Sequence, residues 1–152
     1  MYFVHINRKI LTLIGFISLS ILCIAFPKTQ VLVPKNARSP IVINISDKSL
    51  KYYPISVEEA MILSARGPGK LKIITRGHLG SKSNKTLNYV VYYRINGGEK
   101  IKSNFNSVKV DQKAYFEDDS KGFPSVSEKI IIELSRGENT VEVWSASGNP
   151  KI

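Results

Sequence analysis

Residues 87–98 read LNYVVYYRINGG, and this stretch decides the fold that the sequence predicts. Its first part is dense in β-branched and aromatic side chains on both faces of an extended chain, which is typical of a central strand. Asn96-Gly97-Gly98 then favours a hairpin turn, because these residues readily accept positive φ angles. The returning strand occupies residues 99–110, and the parity of its apolar residues changes midway. That change predicts a β-bulge near Asn106-Ser107.

Short strands make up most of the remaining chain beyond residue 40. Residues 41–46, IVINIS, have the composition of a strand, and residues 61–65 form a second apolar run. Residues 70–76 place apolar side chains and Thr75 on one face and basic side chains on the other, interrupted by Ile74, as in a half-buried antiparallel strand. Strands are also expected over 128–135 and 140–146. Their predicted inward residues are Ile130, Ile132, Leu134, Val141 and Val143.

Turn residues separate these strands at regular intervals. Turns are predicted over residues 47–49, 67–69 and 136–139, and polar loops over 77–85 and 115–124. Residues 55–63 are the one helix-like stretch, and they are short. The sequence therefore predicts an all-β fold, an antiparallel β-sandwich of about seven strands.

The N-terminal region has the pattern of an export signal. Arg8 and Lys9 precede an uncharged, mostly apolar run over residues 10–26, and Cys23 and Ala25 suit a cleavage site after residue 25. The alternative is an uncleaved transmembrane helix that anchors the chain. Residues 1–25 are thus predicted to be a signal peptide or membrane anchor, residues 26–40 a linker or extended segment, and residues 41–152 the β-sandwich. Both alternatives predict export to the periplasm, the cell surface or the medium.

Composition and charge narrow the function classes. A length of 152 residues favours one domain, and a single Cys and two His exclude a disulfide framework and a multi-His zinc site. The net charge is +10, and removing residues 1–25 leaves 20 basic and 12 acidic residues, a net charge of +8. On an exported domain this charge either attracts anionic glycans and lipid head groups or only keeps the domain soluble, whereas nucleic acid does not fit an exported location. We expect membrane contact only through residues 10–26, if they are not cleaved.

The segment IIELSRGENTVEVWSASGN, residues 131–149, resembles a pattern in bacterial immunoglobulin-like and fibronectin-like modules. In those modules an apolar strand meets a turn of the form G-x-N, and a second strand often ends in Gly-Asn. Here Gly137 permits the turn, and Asn139 can hydrogen-bond to its own backbone. The resemblance implies an immunoglobulin-like sandwich and no particular activity, because such modules serve many purposes.

The search for catalytic patterns finds only isolated candidates. His78 lies in a Gly/Ser-rich loop, where it is a general base, a lone metal ligand or an exposed loop residue. The acidic run at residues 117–119 is either a calcium site or a solvated turn. Glu133 and Glu142 either face each other across a final hairpin or lie on an open sheet face, solvated and flanked by lysines. None of these forms a recognised catalytic arrangement, so we expect no enzyme, no cofactor and no metal site.

Aromatic and basic residues give a better candidate site. Tyr92 and Arg94 share one face of their strand, and Trp144 is on the face opposite Val141 and Val143. If this face is open, it forms an aromatic–basic platform suited to a glycan with anionic groups or to a protein partner. If a second sheet or residues 27–40 cover it, these side chains belong to the core. The predicted ligand-binding residues are Trp144, Tyr92, Arg94, Arg76 and Lys72.

The sequence thus leaves several functions open. The first is a non-catalytic binding or assembly module of the cell envelope, with an envelope protein or an anionic glycan as partner. The second is a carbohydrate-binding module that uses the aromatic–basic platform. The third is a small envelope hydrolase, which requires a pocket that holds His78 or two acids.

Overall fold

The computed structural model describes residues 29–80, 86–118 and 121–146. The chain divides into two units, Met1–Val31 and Leu32–Ile152, and all described strands lie in the second. The second unit is all-β with antiparallel sheets, compatible with a β-sandwich, and its described residues contain no helix. The predicted signal or anchor over residues 1–25 lies outside the described residues. Within the described ranges, no helix is long and apolar enough to cross a membrane.

Nine strands are described, and they form three antiparallel sheets. The larger sheet has the order β3-β9-β5-β6, and the smaller ones are β2-β1-β7 and β4-β8. The strands are β1 (Ile41–Ile45), β2 (Lys48–Tyr52), β3 (Met61–Thr75), β4 (His78–Leu79), β5 (Thr86–Ile95), β6 (Ile101–Lys109), β7 (Ala114–Phe116), β8 (Phe123–Pro124) and β9 (Glu128–Ser145).

The hairpin formed by β5 and β6 confirms the prediction from residues 87–110. β5 lies between β9 and β6, and the turn residues Asn96 and Gly97 have φ angles of 51° and 71°. The predicted bulge is also present, because the register shifts by one residue opposite Asn88. The Asn88 side-chain oxygen accepts a hydrogen bond of 2.7 Å from the amide of Ser107, whose φ is 54°.

The predicted turns at residues 67–69 and 136–139 are wrong as turns between separate strands. Both lie inside the two longest strands, β3 and β9, which pair from Met61–Val143 to Thr75–Glu128. Gly67 pairs with Gly137 and Gly69 with Leu134, so β9 carries one extra residue there, as in a β-bulge. This extra residue explains why the inward side chains of β9 have even numbers before the bulge and odd numbers after it.

The two halves of the β3–β9 ribbon pack on one hydrophobic core. Leu71 and Ile132 from one half are buried in the same cluster as Leu63 and Val143 from the other. The ribbon therefore folds over at its bulge, and its two outer faces point away from the shared core. The predicted inward residues are all buried here. The buried cluster consists of Leu63, Leu71, Tyr89, Val91, Val108, Ile130, Ile132, Leu134, Val141 and Val143.

A hydrogen bond between side chains links the two layers of this core. The hydroxyl groups of Thr75, at the end of β3, and Tyr89, in β5, lie 3.0 Å apart. Burial raises the pKa of Tyr89 to about 12, so this phenol stays neutral under ordinary conditions. The contact shows that the C-terminal half of β3 returns over the inner face of β5.

A second, smaller core lies under the sheet β2-β1-β7. Ile43, Ala114 and Phe116 are buried in it. Parts of both predicted loops are ordered around it, because β4 pairs with β8 and β7 pairs with β1. The predicted loops at 77–85 and 115–124 are therefore wrong over residues 78–79, 115–116 and 123–124, where long-range pairing satisfies the backbone.

Residues 32–40 and 55–60 line the start of β3 without regular structure. The amide of Lys35 donates to the carbonyl of Ile62 at 2.8 Å. The Asn36 side chain donates to the carbonyl of Ala60 at 2.7 Å and accepts from the amide of Ile62 at 2.8 Å. The helix-like stretch 55–63 forms no helix, and its last three residues begin β3 instead.

Candidate binding face

The outer face of the larger sheet brings aromatic and basic side chains together. Tyr92 of β5 lies directly opposite Trp144 of β9 on one side and Lys102 of β6 on the other. Two residues further along β5, on the same face, Arg94 lies opposite Glu142 of β9. Because cross-strand neighbours on one face lie about 5 Å apart, these side chains form a continuous surface. We call it the aromatic–basic face, and it comprises Tyr92, Arg94, Lys100, Lys102, Glu142 and Trp144.

Arg94 and Glu142 form a two-pronged ion pair within this face. The Arg94 side chain donates two hydrogen bonds to the Glu142 carboxylate, of 2.5 and 2.7 Å. The hydrogen bond from Arg94 lowers the pKa of Glu142, and the hydrogen bond to Glu142 raises the pKa of Arg94. The Arg94 guanidinium also lies 5.1 Å from the centre of the Trp144 ring. Arg94 therefore makes a cation–π contact with the Trp144 ring. Glu142 neutralises the positive charge of Arg94.

Lys100 lies over both aromatic rings of the face. Its ammonium nitrogen is 4.3 Å from the centre of the Tyr92 ring and 5.2 Å from that of Trp144. Among the described residues, no carboxylate lies within ion-pair distance of Lys100 or Lys102. The face therefore presents two unneutralised cations, one of them held against the π-faces of two rings.

The structure brings together three of the five predicted site residues, namely Tyr92, Arg94 and Trp144. Tyr92 and Trp144 are half-buried, and the Arg94 side chain is 40% exposed, so no second layer from the described part of the chain covers this face. Lys72 lies elsewhere, opposite Ile131 in the C-terminal half of β3, and Arg76 follows the end of that strand. The fold-over at Gly67 separates these two residues from the other three.

Arg76 is buried between the two cores and holds structural partners. Its side chain is 6% exposed. It donates to the Tyr52 hydroxyl at 3.1 Å, to the Asp111 carboxylate at 2.7 Å and to the Ser125 carbonyl at 2.6 Å. Burial acts to raise the pKa of Asp111, but hydrogen bonds from Arg76 and the Lys113 amide outweigh it and lower that pKa. Arg76 thus stabilises the junction of the sheets and is not available on the surface.

The sequence interpretation did not include Lys100, Lys102 and Glu142 in the site. A signal for Lys102 was present, because the hairpin turn at Asn96-Gly97-Gly98 sets the register of β5 and β6. That register places Lys102 opposite Tyr92. Glu142 shares the parity of Trp144, but its partner Arg94 comes from a strand 48 residues away.

The other sequence candidates are dispersed. Glu133 pairs with Lys70 at 3.1 Å, so the prediction that it could face Glu142 across a hairpin is wrong, because both acids lie on the single strand β9. His78 packs edge-on against Phe116, with ring centres 5.8 Å apart. Within the described residues, no three His, Cys, Asp or Glu side chains are grouped to hold a metal ion. Asp119, of the predicted acidic run, lies outside those residues.

A groove lies beside β1 and the end of β7. It has a volume of about 290 Å³ and is open to solvent. Asp118 at its rim forms an ion pair of 3.2 Å with Lys121. The two described acids that line it, Glu117 and Asp118, are adjacent in sequence and do not face each other across a cleft. Its lining residues are Ser39, Pro40, Ile41, Val42, Glu117, Asp118 and Lys121.

Comparisons with known proteins identify no relative. No protein-family model matches the chain, and neither the curated proteins nor the solved structures contain a match.

Proposed function

We propose that the chain is an exported, non-catalytic binding or assembly module of the cell envelope that contacts an anionic partner through its aromatic–basic face. The observation that carries the proposal is the position of Lys100 over the rings of Tyr92 and Trp144. The proposal includes the N-terminal signal or anchor over residues 1–25 and an immunoglobulin-like form of the β-sandwich, both inferred from the sequence.

The charges of the face support an anionic partner. Glu142 neutralises Arg94, whereas no carboxylate in the described part of the chain lies within ion-pair distance of the exposed Lys100 and Lys102. The two rings give Lys100 a fixed place, so less side-chain entropy is lost when a carboxylate or phosphate group binds there. The rings also add apolar contact area beside the charge, a combination typical of binding hot spots.

The arrangement of the other polar groups supports a non-catalytic role. His78 contacts Phe116, and the Glu142 carboxylate is engaged by Arg94, so the described contacts of both side chains are structural. The groove near Asp118 is shallow and open. A hydrolase of this size needs a pocket that orients its catalytic groups and limits access of water.

The second candidate is a carbohydrate-binding module for neutral sugars. It is favoured by the pairing of Tyr92 with Trp144, because adjacent aromatic rings form a platform on which sugar rings stack. However, Lys100 already occupies the space over both rings. A neutral sugar must displace this ammonium group, whereas an anionic group meets it directly.

Retention of the full-length chain on immobilised polysaccharides distinguishes these candidates. In mild detergent at high salt, we expect retention on polygalacturonate and none on neutral dextran. Removing a hot-spot aromatic or its cation typically costs about 1–2 kcal/mol, so Trp144→Ala and Lys100→Ala are each expected to weaken binding about tenfold. Tyr115→Ala is the matched control, because Tyr115 is 54% exposed on β7, away from the face.

Three results would contradict this proposal. Preferential retention on dextran would support the neutral-sugar candidate instead. Binding to polygalacturonate only at low salt, with equal affinity for all variants, would mean that the net charge acts without a site. The third result is no retention on either polymer and no discrete envelope protein that the wild type captures and Trp144→Ala does not. It would mean that the aromatic–basic face is not a binding site.

A further inference from the structure

A second exposed surface lies on the C-terminal half of the β3–β9 ribbon. On its outer face Lys72 lies opposite Ile131, and Ile74 lies opposite Lys129. The two isoleucines are 45% and 60% exposed, for Ile74 and Ile131 respectively, and both lysines are exposed. We call these four residues the Lys/Ile patch. The patch points away from the aromatic–basic face, because the two halves of the ribbon enclose the same core.

The composition of the patch is unusual for a solvated strand. Outward positions on an antiparallel sheet are normally polar. An exposed isoleucine there contributes no hydrophobic stabilisation until another surface covers it. Here Ile74 of β3 and Ile131 of β9 occupy such positions on neighbouring strands. They are diagonal neighbours, because the residue paired with Ile131 is Lys72, two positions before Ile74. Among the described residues, neither Lys72 nor Lys129 has a carboxylate within ion-pair distance.

We propose that the Lys/Ile patch rests on the surface of a membrane that contains anionic lipids, which goes beyond the membrane contact that the sequence predicts, through residues 10–26 alone. The argument is charge complementarity: the two lysines meet anionic head groups, and the isoleucine side chains enter the boundary with the acyl chains. A second copy of the chain fits less well, because a two-fold contact through this patch gathers four lysines in one small interface. The inference rests on the proposed envelope location, which places the chain beside such a membrane.

Each lysine near an anionic leaflet contributes a modest electrostatic attraction, and the patch contains only two lysines. Such attraction supports a weak and reversible contact rather than an insertion. The contact orients the module instead of anchoring it. With the patch on the lipid, the aromatic–basic face points away from the membrane toward its partner.

A fluorescent label on each face tests this inference with the full-length chain. In a Cys23→Ser background, Ile131→Cys and, for comparison, Lys102→Cys carry an environment-sensitive dye. The chain is reconstituted into vesicles of phosphatidylcholine, with or without phosphatidylglycerol. We expect the dye at position 131 to shift to shorter wavelength and to be quenched by brominated lipids only when phosphatidylglycerol is present. The dye at position 102 should stay in water in both vesicles.

Charge reversal gives the matched variant. Lys72→Glu with Lys129→Glu is expected to abolish the shift at position 131, whereas Lys48→Glu with Lys51→Glu on β2 should leave it unchanged. An unshifted dye at position 131 in anionic vesicles overturns the inference, as does an equal shift in neutral vesicles or at position 102. A shift that appears without lipid and grows with protein concentration overturns it in favour of a second copy. These vesicles carry no glycan, so either result is independent of the polygalacturonate test.

Discussion

Replacing Arg76 with methionine is expected to lower the free energy of unfolding by about 3–5 kcal/mol, because it leaves the largely buried Asp111 carboxylate, whose side chain is 17% exposed, without its partner. Arg76 is 6% exposed and joins Tyr52, Asp111 and the Ser125 carbonyl, which belong to separate parts of the chain. Urea unfolding of the full-length chain in detergent measures the loss. Arg38→Met is the control: its ion pair with Glu59 is exposed, so the expected change is about 0–1 kcal/mol.

The ion pair between Arg76 and Asp111 also predicts how stability depends on pH. The pKa of Asp111 is lower in the folded chain than in the unfolded chain. Its contribution is therefore complete above the unfolded value of about 3.9 and is lost as pH falls through the lower folded value. Arg76→Met with Asp111→Asn should show a smaller acid-induced loss of stability than the wild type. An equal loss in both proteins would contradict this account of the junction.

Replacing Gly67 with alanine is expected to destabilise the fold by about 2–3 kcal/mol or more, because the new methyl group overlaps with backbone atoms that cannot move aside. A Cβ atom at this position would collide with the carbonyl oxygen of Ser135 and lie 3.0 Å from that of Leu134. These atoms belong to the bulge where the ribbon folds over. Denaturant unfolding measures the change.

Gly69 offers a control within the same bulge. A Cβ atom added there meets nothing within 4 Å, so Gly69→Ala should change the free energy of unfolding by less than about 0.5 kcal/mol. Equal stability of the two variants would mean that β3 and β9 do not approach closely at Gly67. The fold-over, and with it the separation of the two outer faces, would then be wrong.

The parts of the fold that depend on local signals could be predicted from the sequence. The hairpin at Asn96-Gly97 is set by φ preferences of adjacent residues, and the bulge near Ser107 by a change of parity within one strand. The ribbon could not be predicted, because Gly67-Pro68-Gly69 has the composition of a turn in any context. Only pairing between residues some 70 positions apart, such as Gly67 with Gly137, decides that it is a bulge inside a strand.

The candidate site divides in the same way. The parity of residue numbers predicts that Tyr92 and Arg94 share a face of β5 and that Trp144 is on the face of β9 away from Val143. Because β5 and β9 are neighbouring strands, the rings of Tyr92 and Trp144 then lie side by side. Parity alone also suggested Arg76 as a surface cation. Its burial depends on Asp111, a partner 35 residues away with no local signal. The sequence thus predicts which side chains share a strand face, while long-range pairing decides which faces meet solvent.

Fluorescence of Trp144 tests the central claim, that the aromatic–basic face binds an anionic partner. Trp144 is the one tryptophan in the chain, so emission of the full-length protein reports on this face alone. Titration with polygalacturonate is expected to give a saturable change in emission that dextran does not give. The change should be weaker in Lys100→Ala, which keeps the tryptophan, and unaltered in Lys48→Ala. Binding of polygalacturonate with no change in Trp144 emission, or with the same change in Lys100→Ala, would contradict the claim.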